Sequence, residues 1–343
     1  MSNNYFLDRD KNNIDKISQY LKDLPDFCFN YFLDLEPYTS TLSRLNYAID
    51  LRVFFNFLAT YKFSIKQTEI TYDHLNKVTA DDISSFLSYL SYYNYNGKNY
   101  KNGEKGKARK LASIRNLFKY LFNKDKITAN TASKVNTPKI HQKDILRLEV
   151  DEVGKIINQA ENASLLTKQQ QGFNKHTSKR DVALLTLFLG TGIRVSECVG
   201  LNVDDIYFDN NAFKITRKGG NQVVLYFSDE VANALKEWIA EREKKNLPPN
   251  EKALFLSLQN RRISVRAVEL LVKKYARAIN PLKKISPHKL RSTYGTNLYR
   301  ETGDIYIVAD VLGHRDVNTT KKHYAAISED NRRAVANKVK LRN

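Results

Sequence analysis

Four short segments in the second half of the chain carry side chains suited to binding an anion. The first is Thr-Gly-Ile-Arg-Val-Ser-Glu at 191–197, where two glycines, Gly190 and Gly192, predict a turn that places Arg194 at the start of a helix. A planar guanidinium beside helix N-terminal amides can hold an anion, and Glu197, one turn later, can brace it. Taken alone, this pattern is more typical of a surface arginine.

The second and third segments add a lysine, a histidine and another arginine. Arg-Lys-Gly-Gly-Asn at 217–221 predicts a hairpin turn with Lys218 at its tip, although a solubilising turn lysine is the simpler interpretation. Ser-Pro-His-Lys-Leu-Arg at 286–291 predicts a helix whose first position is proline. His288 and Arg291 then share one face of that helix, next to its apolar stripe.

The fourth segment runs from Val311 to Ala325 and contains Leu-Gly-His and, ten residues after His314, Tyr324. The spacing predicts a helix that ends at Gly313, with His314 directly after the cap and Tyr324 near the end of the next helix. A lone tyrosine is usually a core residue, and this chain has 20 tyrosines.

Together, these segments resemble the signature of the tyrosine recombinase family: TGxRxSE, a β-turn lysine, HxLR, LGH and a tyrosine shortly afterwards. The resemblance is strong over residues 180–330 and weaker over 107–122, which is similar to the last helix of that family's core-binding domain. It assigns catalytic roles to Arg194, Lys218, His288, Arg291, His314 and Tyr324.

The resemblance implies DNA cleavage and rejoining without a metal ion or other cofactor. Tyr324 would attack a phosphodiester, while Arg194, Arg291 and His314 neutralise the phosphate. The implied base is His288 and the implied acid is Lys218, with Glu197 supporting Arg194. The implied fold is mainly α: a helical, SAM-like core-binding domain followed by a mostly helical catalytic domain with a small antiparallel sheet.

Finer similarity indicates the Xer branch. Residues 173–181, 215–220, 253–258 and 24–32 resemble the single-recombinase XerS-type proteins of Gram-positive bacteria. Two departures keep a phage or conjugative-element integrase open: Ser292 replaces a histidine common after HxLR, and Tyr324 follows His314 by ten residues rather than nine. A non-catalytic DNA-binding protein and a type IB topoisomerase fit less well.

Charge supports a nucleic-acid partner. The chain of 343 residues has 56 Lys and Arg against 37 Asp and Glu, a net charge of +19, and both halves carry the excess. Such a distribution suits a protein that surrounds a polyanion. Expected partners are double-stranded DNA with paired half-sites, three further protomers docked through a C-terminal helix at 328–340, and a DNA translocase regulator.

Two isolated cysteines, with neither a signal peptide nor a membrane-spanning run, predict a cytoplasmic, nucleoid-associated protein. Expected domains are a helical core-binding domain at 1–137, a linker at 138–147 and a catalytic domain at 148–343. Residues 94–106 and 166–180 are expected to be loops, and an apolar helix at 181–189 to stop at Gly190. Helical spacing at 107–122 leaves five basic residues outside as DNA contacts: Lys107, Arg109, Lys110, Arg115 and Lys119.

Overall fold

The computed structural model describes residues 4–141, 147–217, 220–313 and 317. The chain forms two compact units, residues 1–143 and residues 144–343. Both are mainly helical and each includes one small antiparallel sheet, so the predicted fold class is confirmed. In the part of the chain that is described, no helix is long and apolar enough to cross a bilayer.

The first unit has six α-helices and a two-stranded hairpin within its described residues. They are α1 (Asn4–Leu21), α2 (Phe27–Leu35), α3 (Thr41–Leu58), α4 (Tyr72–Asn76), α5 (Ala80–Tyr89), β1 (Tyr93–Tyr95), β2 (Lys98–Tyr100) and α6 (Glu104–Asn123). Its core is aromatic: Phe54 of α3 contacts Phe86 of α5 and Phe118 of α6 edge-on. Thr79 caps α5, accepting a hydrogen bond from Asp82 N through its side chain.

The segment expected to be a loop at 94–106 instead forms this hairpin and the first turn of α6. Strand β1 pairs with β2 in the register Tyr93 to Tyr100. Asn96 and Gly97 connect them with φ of 50° and 74°, the left-handed pair that tight two-residue hairpin turns require. Polar composition concealed the hairpin because its strands are only three residues long.

Lys110 points into the first unit, so its prediction as an outward DNA contact is wrong. It is 3% exposed and its Nζ donates to Asp50 Oδ1 at 2.7 Å. Asp50, itself fully buried, also accepts from Ser113 Oγ at 2.9 Å and pairs with Arg109 at 2.8 Å. A carboxylate in this core needs a cation, and Lys110 lies on the face of α6 that turns toward α3.

We expect Lys110→Met to lower the free energy of unfolding by about 3 kcal/mol, because Asp50 would lose its buried cation while most of the side-chain volume stays. Lys119→Met is the matched control, since this exposed lysine of the same helix should change stability by less than about 0.5 kcal/mol. Denaturant unfolding followed by far-UV circular dichroism measures both. Equal effects would show that the buried ion pair is not what the core depends on.

Among its described residues, the second unit contains seven helices and a three-stranded sheet. They are α7 (Val150–Asn162), α8 (Lys168–Thr191), α9 (Val195–Gly200), β3 (Ile206–Tyr207), β4 (Ala212–Thr216), β5 (Gln222–Tyr226), α10 (Asp229–Glu243), α11 (Val265–Ile279), α12 (Pro287–Thr302) and α13 (Ile305–Leu312). The strand order is β3-β4-β5, all antiparallel. The hairpin whose turn was predicted at 217–221 is present, with β4 and β5 as its two strands.

Helix α8 is much longer than expected, because the loop predicted at 166–180 is helical. Thr167 caps it, accepting a hydrogen bond from Gln170 N. Two of the polar side chains that suggested a loop are buried instead: Asn174 Oδ1 accepts from Tyr275 OH at 2.5 Å, and Thr177 Oγ1 donates to Asp181 Oδ2 at 3.1 Å. The helix also passes Gly190 and ends at Thr191, where Gly192 takes the left-handed cap.

Candidate active site

Arg194 is held at the start of α9 by a tight reversal of the chain. Gly192 has φ +63°, and a Cβ there would lie 2.5 Å from Tyr294 and 2.8 Å from Leu312, so only glycine fits this close approach. Beyond the turn, Glu197 is 5% exposed and accepts from Arg194 twice. The backbone N donates at 2.9 Å and the guanidinium Nη1 at 2.8 Å, so Glu197 orients Arg194 as predicted.

Arg291 reaches the same place from α12. That helix starts at Pro287 after Ser286, as the sequence predicts. Arg291 is 5% exposed, and its two Nη groups donate to the carbonyls of Gly192 and Leu312. The second carbonyl belongs to the last turn of α13, adjacent to the carbonyl that Arg194 uses.

Three guanidinium groups meet at the C-terminal end of α13. Arg194 Nη2 donates to Gly313 O at 2.9 Å, Arg291 Nη2 donates to Leu312 O, and Arg217 Nη2 donates to Val311 O at 3.0 Å. The last carbonyls of a helix lack partners within it and carry partial negative charge. Three arginines on three successive carbonyls therefore form a compact, positively charged cluster, which we call the arginine cluster.

Arg217 was not among the predicted site residues. The only sequence signal for it is its position directly before Lys218. Burial lowers the pKa of Arg217 from its ordinary value, while the charge of Glu197 acts in the opposite direction. Its contact with residues about 95 positions later in the chain is a tertiary feature that local patterns do not encode.

His288 lies in the first turn of α12, exposed at the surface, three residues before the buried Arg291. Residues three apart on a helix share a face, so the structure keeps His288 on the side that carries Arg291. Lys218, His314, Tyr324 and the predicted docking helix at 328–340 lie outside the described residues. Arg217, which directly precedes Lys218, and Gly313, which directly precedes His314, are both described. These two residues lie against each other in the arginine cluster.

This geometry suits an anion with several oxygens. Arginine forks form strong, directional hydrogen bonds to phosphate, and two forks side by side can neutralise charge that develops on its oxygens. Among the described residues, no group of three or more His, Cys, Asp or Glu side chains is arranged to hold a metal ion.

Residues 147–331 match the sequence profile of the phage integrase family. The chain therefore belongs to the phage integrase family.

Curated relatives include the tyrosine recombinase XerC of Caldanaerobacter subterraneus subsp. tengcongensis, 32% identical over 90% of this chain and 84% of the relative. Another is XerC of Syntrophus aciditrophicus, 31% identical over 90% and 94%. Within the family, this chain is a site-specific tyrosine recombinase, an enzyme that cleaves and rejoins DNA, and the predicted resemblance to the Xer branch is confirmed.

Solved structures share the fold at low identity. The XerH recombinase in a post-cleavage complex with palindromic difH DNA has a TM-score of 0.63 at 19% identity, covering 87% of this chain and 80% of that one. A lambda integrase dimer on a COC′ core site has a TM-score of 0.61 at 16% identity, covering 89% and 79%. These likenesses support the fold.

Proposed function

We propose that this enzyme cleaves DNA through a 3′-phosphotyrosyl intermediate on Tyr324, within a site formed by Arg194, Lys218, His288, Arg291 and His314. The observation that carries the proposal is the arginine cluster, where two of the six signature residues donate to successive carbonyls immediately before His314. Six residues scattered along 131 positions of sequence have one common explanation if they serve one phosphate.

Charge neutralisation is the first part of the mechanism. In-line attack on a phosphodiester gathers negative charge on its two non-bridging oxygens. Arg194 and Arg291 donate to those oxygens, and His314 adds a third donor. Glu197 keeps Arg194 in the required orientation through the two hydrogen bonds at its buried carboxylate.

Proton transfer is the second part. The Tyr324 phenol, whose ordinary pKa is ~10, gives its proton to His288 as its oxygen bonds to phosphorus. The bond from phosphorus to the 5′ oxygen breaks, and that oxygen takes a proton from Lys218. Attack by another strand's 5′-hydroxyl reverses these steps and rejoins the DNA without an external energy source.

DNA is the proposed partner of both units. We assign residues 1–137 as the core-binding domain, 138–147 as the linker and 148–343 as the catalytic domain. On α6, the proposed contacts are Lys107, Arg109 and Lys119, which stay at least partly exposed. Arg115 is left out of this set because its guanidinium donates to the carbonyls of Ala132 and Val135 and to Thr137.

Lys119→Gln tests this surface. If Lys119 neutralises one phosphate, its loss should weaken binding to specific and non-specific duplexes alike and reduce the slope of log affinity against log salt by about 0.9. Lys16→Gln, on the exposed side of α1, is the control and should leave the slope unchanged. Fluorescence anisotropy across a salt series measures both. An unchanged slope for Lys119→Gln would remove α6 from the DNA interface.

Recombination exchanges strands between two duplexes, each with paired half-sites, so we propose a homotetramer on the DNA. The segment 328–340, joined closely to Tyr324 in sequence, is proposed to dock on a neighbouring protomer and control which tyrosine is active. A DNA translocase is the proposed regulator, and the cytoplasmic nucleoid the proposed location.

The proposed biological role is Xer-type resolution of chromosome dimers before cell division, supported by the two XerC relatives. An integrase or excisionase of a mobile element is the second candidate. The ten-residue spacing from His314 to Tyr324 and the sequence Thr-Thr-Lys-Lys-His-Tyr favour it, since these resemble some phage integrases. Transfer or excisionase genes beside this gene would support the integrase.

A substrate nicked close to the cleavage point tests the chemistry, because cleavage releases a short fragment that carries the new 5′-hydroxyl and dissociates. Religation then has no nucleophile, so wild-type enzyme should accumulate covalently on the 3′ end. Failure to accumulate, with DNA bound, would contradict the proposed intermediate.

A further inference from the structure

Arg217 anchors the turn that contains Lys218. It follows β4 directly, and its backbone N donates to Asn221 O at 2.8 Å. Its carbonyl accepts from Gly220 N at 3.1 Å. The main chain of Arg217 is therefore tied across the turn, and movement of Arg217 would be passed to Lys218 next to it.

The side chain of Arg217 reaches the end of α13. Its Nη2 donates to Val311 O at 3.0 Å. The guanidinium also lies against the backbone of Gly313, where a Cβ would be 2.8 Å from Arg217 Nε and closer still to Nη1 and Cζ. Gly313 thus leaves room for Arg217 as well as taking the left-handed cap at φ +59°.

Stability alone is a poor explanation for this contact. Burial and the neighbouring charge of Arg194 disfavour the Arg217 cation, and the charges of Glu197 and Asp310 offset this only in part, so its pKa stays below the ordinary value. Within the described part of the chain its buried Nε has no hydrogen-bond partner. An unsatisfied buried donor generally destabilises a fold. The arrangement makes better sense if the connection between the two segments is what matters.

We infer that Arg217 is a positioning residue that ties the turn after β4 to the Val311–Gly313 segment, so that the residues that follow each in sequence, Lys218 and His314, can serve one phosphate. The inference rests on the proposed function, which gives Lys218 and His314 their roles. Arg217 acts through its neighbours: its fork is directed at a backbone carbonyl, and it delivers Lys218 to the leaving oxygen.

A change of leaving group isolates this role. In DNA whose scissile 5′ bridging oxygen is replaced by sulfur, the thiolate departs without a proton, because a thiol has a pKa near 8.5 and an alcohol is far less acidic. A defect in the general acid therefore disappears on the sulfur substrate. A defect in phosphate charge neutralisation or in folding remains.

Single-turnover cleavage of both substrates should be measured for Arg217→Ala, Arg217→Lys, Lys218→Ala and the double variant. On ordinary DNA we expect Arg217→Ala to lose about 30- to 100-fold, part of the 10²- to 10⁴-fold that general acids supply. On sulfur DNA it should return to within about threefold of wild type. The cleavage rate of Arg217→Lys should lie between those of Arg217→Ala and wild type, because one ammonium can donate to Val311 O but cannot also contact Gly313.

Matched controls separate positioning from folding. Lys214 is partly exposed on β4, the strand that directly precedes Arg217. Lys214→Ala should cleave both substrates at the wild-type rate. DNA affinity and Tm are recorded for every variant, and Arg217→Lys carries the comparison if Arg217→Ala unfolds. The double variant should cleave no more slowly than Lys218→Ala, because residues acting through one step are not additive.

Each outcome decides between the claims. If Lys218→Ala is defective and recovers on sulfur DNA while the Arg217 variants do not, the positioning inference is wrong and the proposed function stands. If Lys218→Ala cleaves ordinary DNA like wild type, the acid assignment fails and the inference fails with it. Arg217→Ala that behaves like Lys214→Ala also overturns the inference.

Discussion

Tyr324→Phe should bind the nicked recombination substrate like wild type and form no covalent adduct. The substitution removes one oxygen, and that oxygen is the atom proposed to bond to phosphorus. A nucleophile has no substitute in its step, so the cleavage rate should fall on the order of 10⁴-fold or more. Denaturing electrophoresis of end-labelled DNA with the protein measures the adduct directly.

Tyr306→Phe is the matched control for this loss. Tyr306 is a tyrosine of the second unit that is 70% exposed on α13, and it has no place in the mechanism. It should form the adduct at the wild-type rate. A Tyr324→Phe enzyme that still traps DNA would move the nucleophile to another tyrosine. If Tyr324→Phe and Arg194→Ala are each inactive, adduct formation by a mixture of the two would show that the nucleophile comes from a neighbouring protomer.

Local sequence rules predicted the start of α12 and the end of α13 from their caps, although the helix end expected at Gly190 was wrong. Ser286 and Pro287 predicted the start of α12, and Gly313 predicted the end of α13. Such predictions work because the backbone conformations at helix ends restrict the residue type. These rules place His288 and Arg291 on a helix and His314 after a cap. The resemblance to a recombinase signature supplied what local rules lack, namely that the segments act together.

Three of the errors share a physical cause: polar side chains whose partners are distant in sequence. Lys110 was placed outside because lysine usually is, yet Asp50, sixty residues earlier, pairs with it. Asn174, in the predicted loop at 166–180, is buried and accepts from Tyr275 OH, 101 residues later, within the helix that polarity suggested was a loop. Arg217 escaped notice for the same reason, since its partner is Val311.

Arg194→Ala should reduce the rate of adduct formation by about 10²- to 10³-fold, or about 2.7–4 kcal/mol of transition-state stabilisation, with little change in DNA affinity. The asymmetry follows from charge: one phosphate contact among many contributes little to binding by a protein of net charge +19, whereas negative charge grows on this phosphate only in the transition state. Single-turnover kinetics with saturating enzyme, alongside equilibrium binding, separates the two quantities.

The choice of variants at Arg194 matters, because its side chain also hydrogen-bonds to neighbouring residues and contributes to the stability of the fold. Alanine removes the donors to Glu197 Oε1 and Gly313 O, although the backbone N still donates to Glu197. Arg194→Lys keeps the charge but loses the planar fork, so it should recover some stability and only part of the rate. Arg266→Ala removes an exposed arginine that pairs with Glu269 on α11, and it should change neither rate nor affinity. Equal losses of binding and cleavage in Arg194→Ala would make Arg194 a simple phosphate anchor, since a residue that acts on the transition state must affect the rate more than the affinity.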